Sequence, residues 1–290
     1  MLPMGAPKTV LLTVAALGLA AAAAGTLVVY GGFYNVAATT QHWQPVYSLL
    51  EKTMHQSVQL RARGIEPPRL DDERLIVRGA GCFRDKCVQC HGAPGVAQGD
   101  IGKSMQPLPG PLVDARRRWA PRELYWVTKH GIKMSGMPAW EYRLSEEELW
   151  SVVAFLARLP DLTPRQYAEV TRVAPTAAQG APSPPACGAG APLAPVRVAD
   201  ARRGERALYQ YACNACHTIP GVTSSQPQVG PPLAGIADRL LIAGKLANTP
   251  DNMVRWLRHT RAVAPLSAMP EMGVTEQDAR DIAAYLATLD

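Results

Sequence analysis

A pentad with two cysteines and a histidine occurs twice in the chain, as CVQCH at residues 87–91 and as CNACH at residues 213–217. In this pattern two thiols on one helical turn can add to the vinyl groups of a haem, and the histidine can bind the iron. C-x-x-C alone also occurs in redox-active dithiols and in zinc sites, but a zinc site needs a second ligand pair about 12 to 20 residues further on. Neither copy has such a pair, so the sequence predicts two covalently attached haems. The attachment residues are Cys87, Cys90, Cys213 and Cys216, with His91 and His217 as iron ligands.

The size and composition of the chain fit two small haem domains. A length of 290 residues suits about two domains, and a covalently bound porphyrin gives each a large apolar centre for packing. Because thioether attachment of haem takes place outside the cytoplasm, we expect an extracytoplasmic protein. The formal charge of +6 omits the acidic haem propionates, and the sequence has no basic tract with interleaved aromatic residues. Nucleic-acid binding is therefore not expected.

An uncharged segment of 24 residues, 10–33, lies near the start of the chain. It is long enough to cross a hydrocarbon core of about 30 Å as a helix. A cleaved signal peptide has a similar layout, but the apolar stretch continues through residues 27–30, past the small residues where cleavage would occur. We therefore expect a retained anchor in a bacterial inner membrane, crossed once. Lys8 precedes the segment and no basic residue follows it until Lys52, which places the haem domains in the periplasm.

Changes in composition divide the chain into five parts. Apolar residues at three- and four-residue steps predict an amphipathic helix over 45–63. Residues 160–198 contain eight prolines interleaved with Ala, Gly and Ser, which indicates a semi-extended linker. The predicted parts are a membrane anchor at 1–37, an amphipathic stalk at 38–69, a haem domain at 70–160, a linker at 161–198 and a second haem domain at 199–290.

Both haem domains have the same predicted order of elements: a helix, the C-x-x-C-H motif, a loop rich in Gly and Pro, and two further helices. Capping residues mark the start of the last helix, Ser145 with the glutamates after it in the first domain and Thr275 with Asp278 in the second. On the first helix Gly79 lies four residues before Phe83. A small residue beside an aromatic ring allows another helix to cross closely, so we expect the first and last helices to meet there.

The second axial ligand of each iron is expected from a methionine before the last helix. The first domain offers Met134 and Met137, and the second offers Met269 and Met272. Met137 and Met269 are the predicted ligands because each is followed by proline, which stiffens an extended segment and presents the side chain in the same way twice. Met134 and Met272 are predicted to be packing residues. His130 and His259 are the alternative ligands, although a histidine at a helix end more often faces solvent.

Two cysteines remain outside the pentads, Cys82 and Cys187. They could form a disulfide in an oxidising compartment. They could equally be separate thiols, with Cys82 buried on the first helix, because the sequence does not show their separation.

Both haem domains resemble class I cytochromes c, over about residues 70–160 and 201–290, in the order of helix, C-x-x-C-H, Gly/Pro loop, Met-Pro and final helix. The resemblance implies an all-α fold in which an N-terminal transmembrane helix is followed by two tandem cytochrome c domains holding two covalently bound haem c groups. Residues 131–140, which include GMPAW, are similar to the corresponding segment of the di-haem subunit of cbb-type oxidases. In the family a proline of the GPPL stretch, here Pro231, supports the ligand histidine, and Pro111 is a weaker counterpart.

These features predict a membrane-anchored electron carrier rather than an enzyme, which relays single electrons in a periplasmic respiratory chain. The expected partners are redox proteins: a terminal oxidase, a quinol-side complex or a soluble cytochrome. One alternative is the electron-accepting subunit of a periplasmic dehydrogenase complex. Another is a di-haem peroxidase, in which one iron must lose its sixth ligand to admit substrate; Met-Pro in both domains argues against it.

Overall fold

The computed structural model describes residues 6–173, 197–224, 227 and 229–290. The chain divides into two compact units, Met1–Gly190 and Ala191–Asp290. The described helices of the first unit are α1 Ala6–Tyr30, α2 Gln44–Ala62, α3 Glu73–Lys86, α4 Val88–His91, α5 Asp100–Lys103, α6 Ala115–Arg118, α7 Pro121–His130, α8 Glu146–Arg158 and α9 Pro164–Val173. Those of the second unit are α10 Ala201–Gln210, α11 Pro250–Arg258, α12 Thr260–Val263 and α13 Glu276–Leu286.

Helix α1 consists almost entirely of apolar and small residues, and its described side chains are exposed. Within Pro7–Tyr30, which has 24 residues, an 18-residue stretch has a mean hydropathy of 2.1. At 1.5 Å per residue, a helix of this length spans roughly 36 Å. By length and composition it could cross a membrane, as the sequence predicts.

Helices α3 and α8 form the centre of the first unit, where they cross at Gly79. A Cβ on Gly79 would lie 1.9 Å from the carbonyl oxygen of Ser151, so only glycine allows this approach. Beside the crossing, the rings of Phe83 and Phe155 pack with centroids 5.4 Å apart. The close crossing beside an aromatic ring that the sequence predicts is therefore present, and both phenylalanines are fully buried.

Helix α7 packs on α8 through stacked rings, since Tyr125 and Trp150 lie 4.1 Å apart at an interplanar angle of 15°. The amphipathic helix α2 also packs on α7 and buries Val58. Next to it, the ring of His55 stacks on Trp119 with centroids 4.1 Å apart. The stalk helix thus packs on the first haem domain.

Helix α9 occupies the start of the segment predicted as a linker. It packs on α3, where Tyr167 is buried and its ring lies edge-on to Phe83 at 6.4 Å. The prolines at 160 and 164 led to the prediction of extended chain, but Pro164 stands in the first helical turn, where proline needs no N–H partner. The rest of the predicted linker, 174–196, lies outside the described residues.

The second unit repeats the crossing of its first and last helices. Gly204 of α10 lies against α13, where a Cβ would be 2.0 Å from the carbonyl oxygen of Asp281. Helix α11 packs on α13 as the third helix. The predicted all-α fold is confirmed, and a small antiparallel hairpin, β1 Leu241–Ile242 and β2 Leu246–Ala247, is added to it. The register pairs Ile242 with Leu246, so three residues form the loop, and the first two, Ala243 and Gly244, have positive φ of 49° and 66°.

The predicted caps of the last helices are present. The Ser145 hydroxyl accepts a hydrogen bond from the N–H of Glu148 at 3.2 Å, and the Glu148 carboxylate accepts one from the N–H of Ser145 at 2.8 Å. Thr275 caps α13 by accepting from the N–H of Asp278, also at 3.2 Å, while its own N–H donates to the Tyr211 hydroxyl at 3.3 Å. Each cap satisfies N–H groups that a helix start leaves without partners, and fixes the start of the last helix after the methionine segment.

Candidate functional site

The pentad of the first unit continues directly from α3. The N–H of Cys87 donates to the Phe83 carbonyl at 2.9 Å, and the N–H of His91 donates to the Cys87 carbonyl at 2.9 Å. Cys87 and Cys90 therefore stand three residues apart on one helical turn, and both are free thiols. This is the arrangement that two thioether bonds to one porphyrin edge need.

The pentad of the second unit forms the same turn, but the backbone that leads into it from α10 differs. The N–H of His217 donates to the Cys213 carbonyl at 2.9 Å, and Cys213 and Cys216 are free thiols. Between α10 and this turn, Ala212 adopts a left-handed conformation with φ 52°. That extra residue explains why Gly204 lies nine residues before its first motif cysteine, whereas Gly79 lies eight before Cys87. With Ala212 as the extra residue, each unit has its pentad directly after the helix that crosses the last helix at a glycine.

The thiols lack the electrostatics of a redox-active dithiol. Burial raises the pKa of the Cys87 thiol to about 12 and that of the Cys213 thiol to about 11. A dithiol that exchanges disulfides needs a thiolate stabilised near neutral pH, and burial disfavours the thiolate at Cys87 and at Cys213. Among the residues that the structure describes, no group of three or more His, Cys, Asp or Glu side chains could hold a metal ion.

Each pentad histidine is held through one ring nitrogen. Nδ1 of His91 lies 2.7 Å from the carbonyl oxygen of Gly110, and Nδ1 of His217 lies 2.8 Å from that of Pro231. Since a carbonyl can only accept, Nδ1 carries the proton in both rings, and Nε2 keeps a lone pair for a metal. Burial lowers the pKa of His91, outweighing the opposing hydrogen bond to Gly110, and so favours the neutral imidazole.

The support of His217 comes from Pro231, as the sequence comparison implies, but Pro111 does not play this part in the first unit. The carbonyl used there belongs to Gly110, one residue earlier. The stretch GPL at 110–112 has one proline fewer than GPPL at 230–233, so Gly110 takes the place of Pro231. Gly230 is also needed, because a Cβ there would lie 2.6 Å from Cε1 of His217.

Met137 and Met269 stand in matching segments, each two residues after a serine. The N–H of Met137 donates to Oγ of Ser135 at 3.1 Å, and the N–H of Met269 donates to Oγ of Ser267, also at 3.1 Å. Both methionine side chains are half-buried. Sequence reasoning missed the two serines, although the pattern Ser-x-Met-Pro occurs in both units and would have revealed them.

The other methionines do not pack as predicted. Met134 is 95% exposed and Met272 is 41% exposed. Met134 also adopts a left-handed conformation, φ 60°, that turns its residue outward in the loop. Of the alternative histidines, His130 lies beside Trp126 and 3.7 Å from the Glu141 carboxylate, and His259 is exposed at the end of α11.

Cys82 is fully buried on α3 and is disulfide-bonded. The partner that the sequence names, Cys187, lies outside the described residues. The Cys82–Cys187 bond therefore stays a prediction.

Comparison with known families places both sites in one class. Residues 74–156 match the family described as cytochrome c oxidase, cbb3-type, subunit III, and residues 201–290 match the family described as cytochrome c. The chain is a c-type cytochrome for electron transfer, with two cytochrome c domains and two covalently bound haem c groups. Within that class it is a di-haem cytochrome similar to the cbb3-type oxidase subunit.

One curated relative is itself an oxidase subunit. Cytochrome c oxidase subunit 2 of Alkalihalophilus pseudofirmus is 28% identical over 90 residues. The match covers 31% of this chain and 25% of the relative, so the chain spans about a quarter of the length of that protein. The similarity concerns a region about the size of one cytochrome c domain.

Proposed function

We propose that this cytochrome relays single electrons from a periplasmic or quinol-side donor to a membrane-bound terminal oxidase. The observation that carries the proposal is the repetition of one complete arrangement in both units: two free thiols on a turn, a histidine with Nε2 available, and a serine-held methionine. Two fully ligated irons suit transfer of electrons rather than binding of a substrate. The similarity of the first domain to an oxidase subunit supports an oxidase as the partner.

The proposed roles follow from the chemistry of each side chain. The four motif cysteines form the thioether bonds, and the two pentad histidines bind iron through Nε2. Donation from Nδ1–H to a fixed carbonyl orients each ring and makes Nε2 a better ligand. The proposed ligand sets are Cys87, Cys90, His91 and Met137 for haem 1, and Cys213, Cys216, His217 and Met269 for haem 2.

When held by these proposed ligands, the haems would supply reversible one-electron chemistry. The methionine thioethers favour the reduced state relative to imidazole and so raise both potentials. The serine hydroxyls hold the N–H groups of Met137 and Met269 and thereby limit the movement of each thioether between redox states. Little rearrangement is then needed when an electron arrives or leaves.

The proposed location is the periplasmic face of a bacterial inner membrane, with α1 as a single-pass anchor. Helix α2 packs on α7 and would keep the first domain close to the anchor. This can be tested in cells that express the full-length chain. It should stay with membranes after an alkaline carbonate wash and be digested by protease added to spheroplasts. Release by the wash, or protection from the protease, would contradict this location.

The relay itself can be tested with the purified full-length protein in detergent. A pyridine haemochrome assay should give two haems per chain, and a potentiometric titration should give two one-electron waves. Reduced protein added to oxidase-containing membranes that lack it should be oxidised only when oxygen is present. A high-spin ferric haem that reacts with hydrogen peroxide would instead favour the peroxidase alternative. Co-purification with a catalytic dehydrogenase chain, together with no oxidation by the oxidase, would favour the dehydrogenase-subunit alternative.

A further inference from the structure

A short segment of the first unit connects the haem-attachment turn with the methionine segment. It begins with α5, which lies on the turn: the N–H of Gly99 donates to the Gln89 carbonyl at 2.9 Å. A Cβ on Gly102 would lie 2.8 Å from both Cα and the carbonyl oxygen of Cys90. Because side chains do not fit at that distance, α5 packs backbone to backbone on the residues that attach the haem.

The same segment reaches the methionine side of the site two residues after α5 ends. There the side chain of Met105 lies on Gly136, where a Cβ would be 2.4 Å from Sδ and 3.0 Å from Cε. Gly136 stands between Ser135 and Met137. The thioether of Met105 thus occupies the space beside the backbone that presents Met137, and a glycine makes that space available.

We propose that Met105 is a positioning residue for Met137, which it clamps against displacement from the iron of haem 1. This inference rests on the proposed function, in which Met137 is the sixth ligand. For an external ligand to replace Met137, the segment at 135–137 must move outward. Met105 packs on that segment from one side while α5 fixes Met105 to the attachment turn, so the movement breaks this packing.

Among its described residues, the second domain shows no equivalent clamp. Its loop between His217 and Pro231 has 13 residues, whereas that between His91 and Gly110 has 18, and the shorter loop contains no methionine. The residue that corresponds to Gly136 is Ala268, whose side chain is exposed. The two sixth ligands should therefore differ in how easily they are displaced, with Met137 the more tightly held.

Imidazole titration of the oxidised full-length protein tests the clamp. Loss of the thioether-to-iron absorbance at the red end of the spectrum reports displacement of each methionine, and we expect two phases, with haem 2 reacting at lower imidazole concentration. Met105→Ala should make binding in the haem 1 phase about tenfold tighter and leave the haem 2 phase unchanged. Gly136→Ala, which pushes Met105 away from the other side, should shift the same phase in the same direction.

Two matched variants separate packing from other effects. Met105→Leu keeps the apolar bulk without the sulfur and should behave like the unaltered protein. Met134→Ala removes an exposed methionine that lies three residues before Met137 and should change neither phase. Covalent haem content, measured on every variant, confirms that each has assembled.

Each other outcome has a distinct meaning. Unchanged haem 1 binding in both Met105→Ala and Gly136→Ala would overturn the clamp, while loss of half the red absorbance in Met137→Ala would still uphold the proposed ligand. Full red absorbance in Met137→Ala would instead overturn the ligand assignment. Loss of half the absorbance in Met105→Leu would show that Met105 itself binds the iron, and would overturn the clamp as well.

Discussion

Gly204 of α10 lies against the backbone of Asp281 in α13, so closely that a Cβ on the glycine would be 2.0 Å from the carbonyl oxygen. The corresponding pair in the first unit is Gly79 and Ser151, where the same distance would be 1.9 Å. In each domain one glycine therefore sets the distance between the first and last helices. The first helix leads into the pentad and the last follows the methionine segment, so this contact also positions the two sides of the site.

Replacing either glycine with alanine should separate these helices. We expect Gly79→Ala and Gly204→Ala each to lower the free energy of unfolding of its own domain by about 3 kcal/mol, at the upper end for overpacking, because the clash is with backbone. Denaturant titration followed by haem absorbance measures the change. Gly64→Ala, where a Cβ would meet nothing within 4 Å, is the control and should have little effect. If all three variants had the same free energy of unfolding, the helices could separate at no cost, which would contradict the prediction.

Asp281 makes the second domain sensitive to acid. Its side chain is only 1% exposed. Burial tends to raise its pKa, but hydrogen bonds from Arg203, from the N–H of Asp200 and from Gln277 outweigh burial and lower the pKa below the usual value. A carboxylate with a lowered pKa in the folded state contributes stability above its unfolded pKa, and that contribution is lost as the pH falls through the folded pKa.

We therefore expect the stability of the second domain to decrease as the pH falls below about 4. Asp281→Asn should remove this part of the acid dependence and lower the free energy of unfolding at pH 7 by about 3 kcal/mol, because Arg203 loses its partly buried partner. Thermal unfolding at a series of pH values measures both effects. Ser151→Ala, at the corresponding place in the first unit, should leave the pH dependence of that domain unchanged. The explanation fails if the asparagine variant keeps the full acid dependence.

The parts of the site that depend on covalent spacing and local hydrogen bonds could be predicted from the sequence. The pentads, the caps at Ser145 and Thr275, and the crossing at Gly79 all follow from residues a few positions apart. The choice of Met137 and Met269 as ligands rests on the proline after each and stays a prediction. The serines before Met137 and Met269 could have been found by the same comparison of the two repeats.

Features that depend on tertiary contacts could not be predicted in this way. Helix α9 looks like linker because Pro164 suggests extended chain, and only packing of Tyr167 on α3 makes it part of the first unit. The ring of His91 is held by a backbone carbonyl. Every residue has such a carbonyl, so only the structure shows that Gly110 supplies it. The exposure of Met134 likewise follows from the path of its loop.

Cys82 should be linked to Cys187 in the mature protein. Cys82 is disulfide-bonded, and the four motif cysteines are expected to be consumed as thioethers, which leaves Cys187 as its partner. Proteolysis without reductant, followed by mass spectrometry, should give one linked peptide pair containing both residues. Iodoacetamide should label neither cysteine until a reductant is added. Labelling of Cys187 in the unreduced protein would contradict the pairing.

Replacing each proposed methionine ligand with histidine should show which potential belongs to which haem. Because imidazole stabilises oxidised iron relative to a thioether, Met137→His should lower the potential of haem 1 alone, and Met269→His that of haem 2 alone. We expect shifts on the order of 0.1 V, well within the roughly 0.8 V that axial ligands span. Met134→His is the control: at 95% exposure its side chain lies in solvent, so both potentials should stay the same. A potentiometric titration of the three full-length variants measures this, and a shift of both waves in either ligand variant would mean that the two haems are strongly coupled.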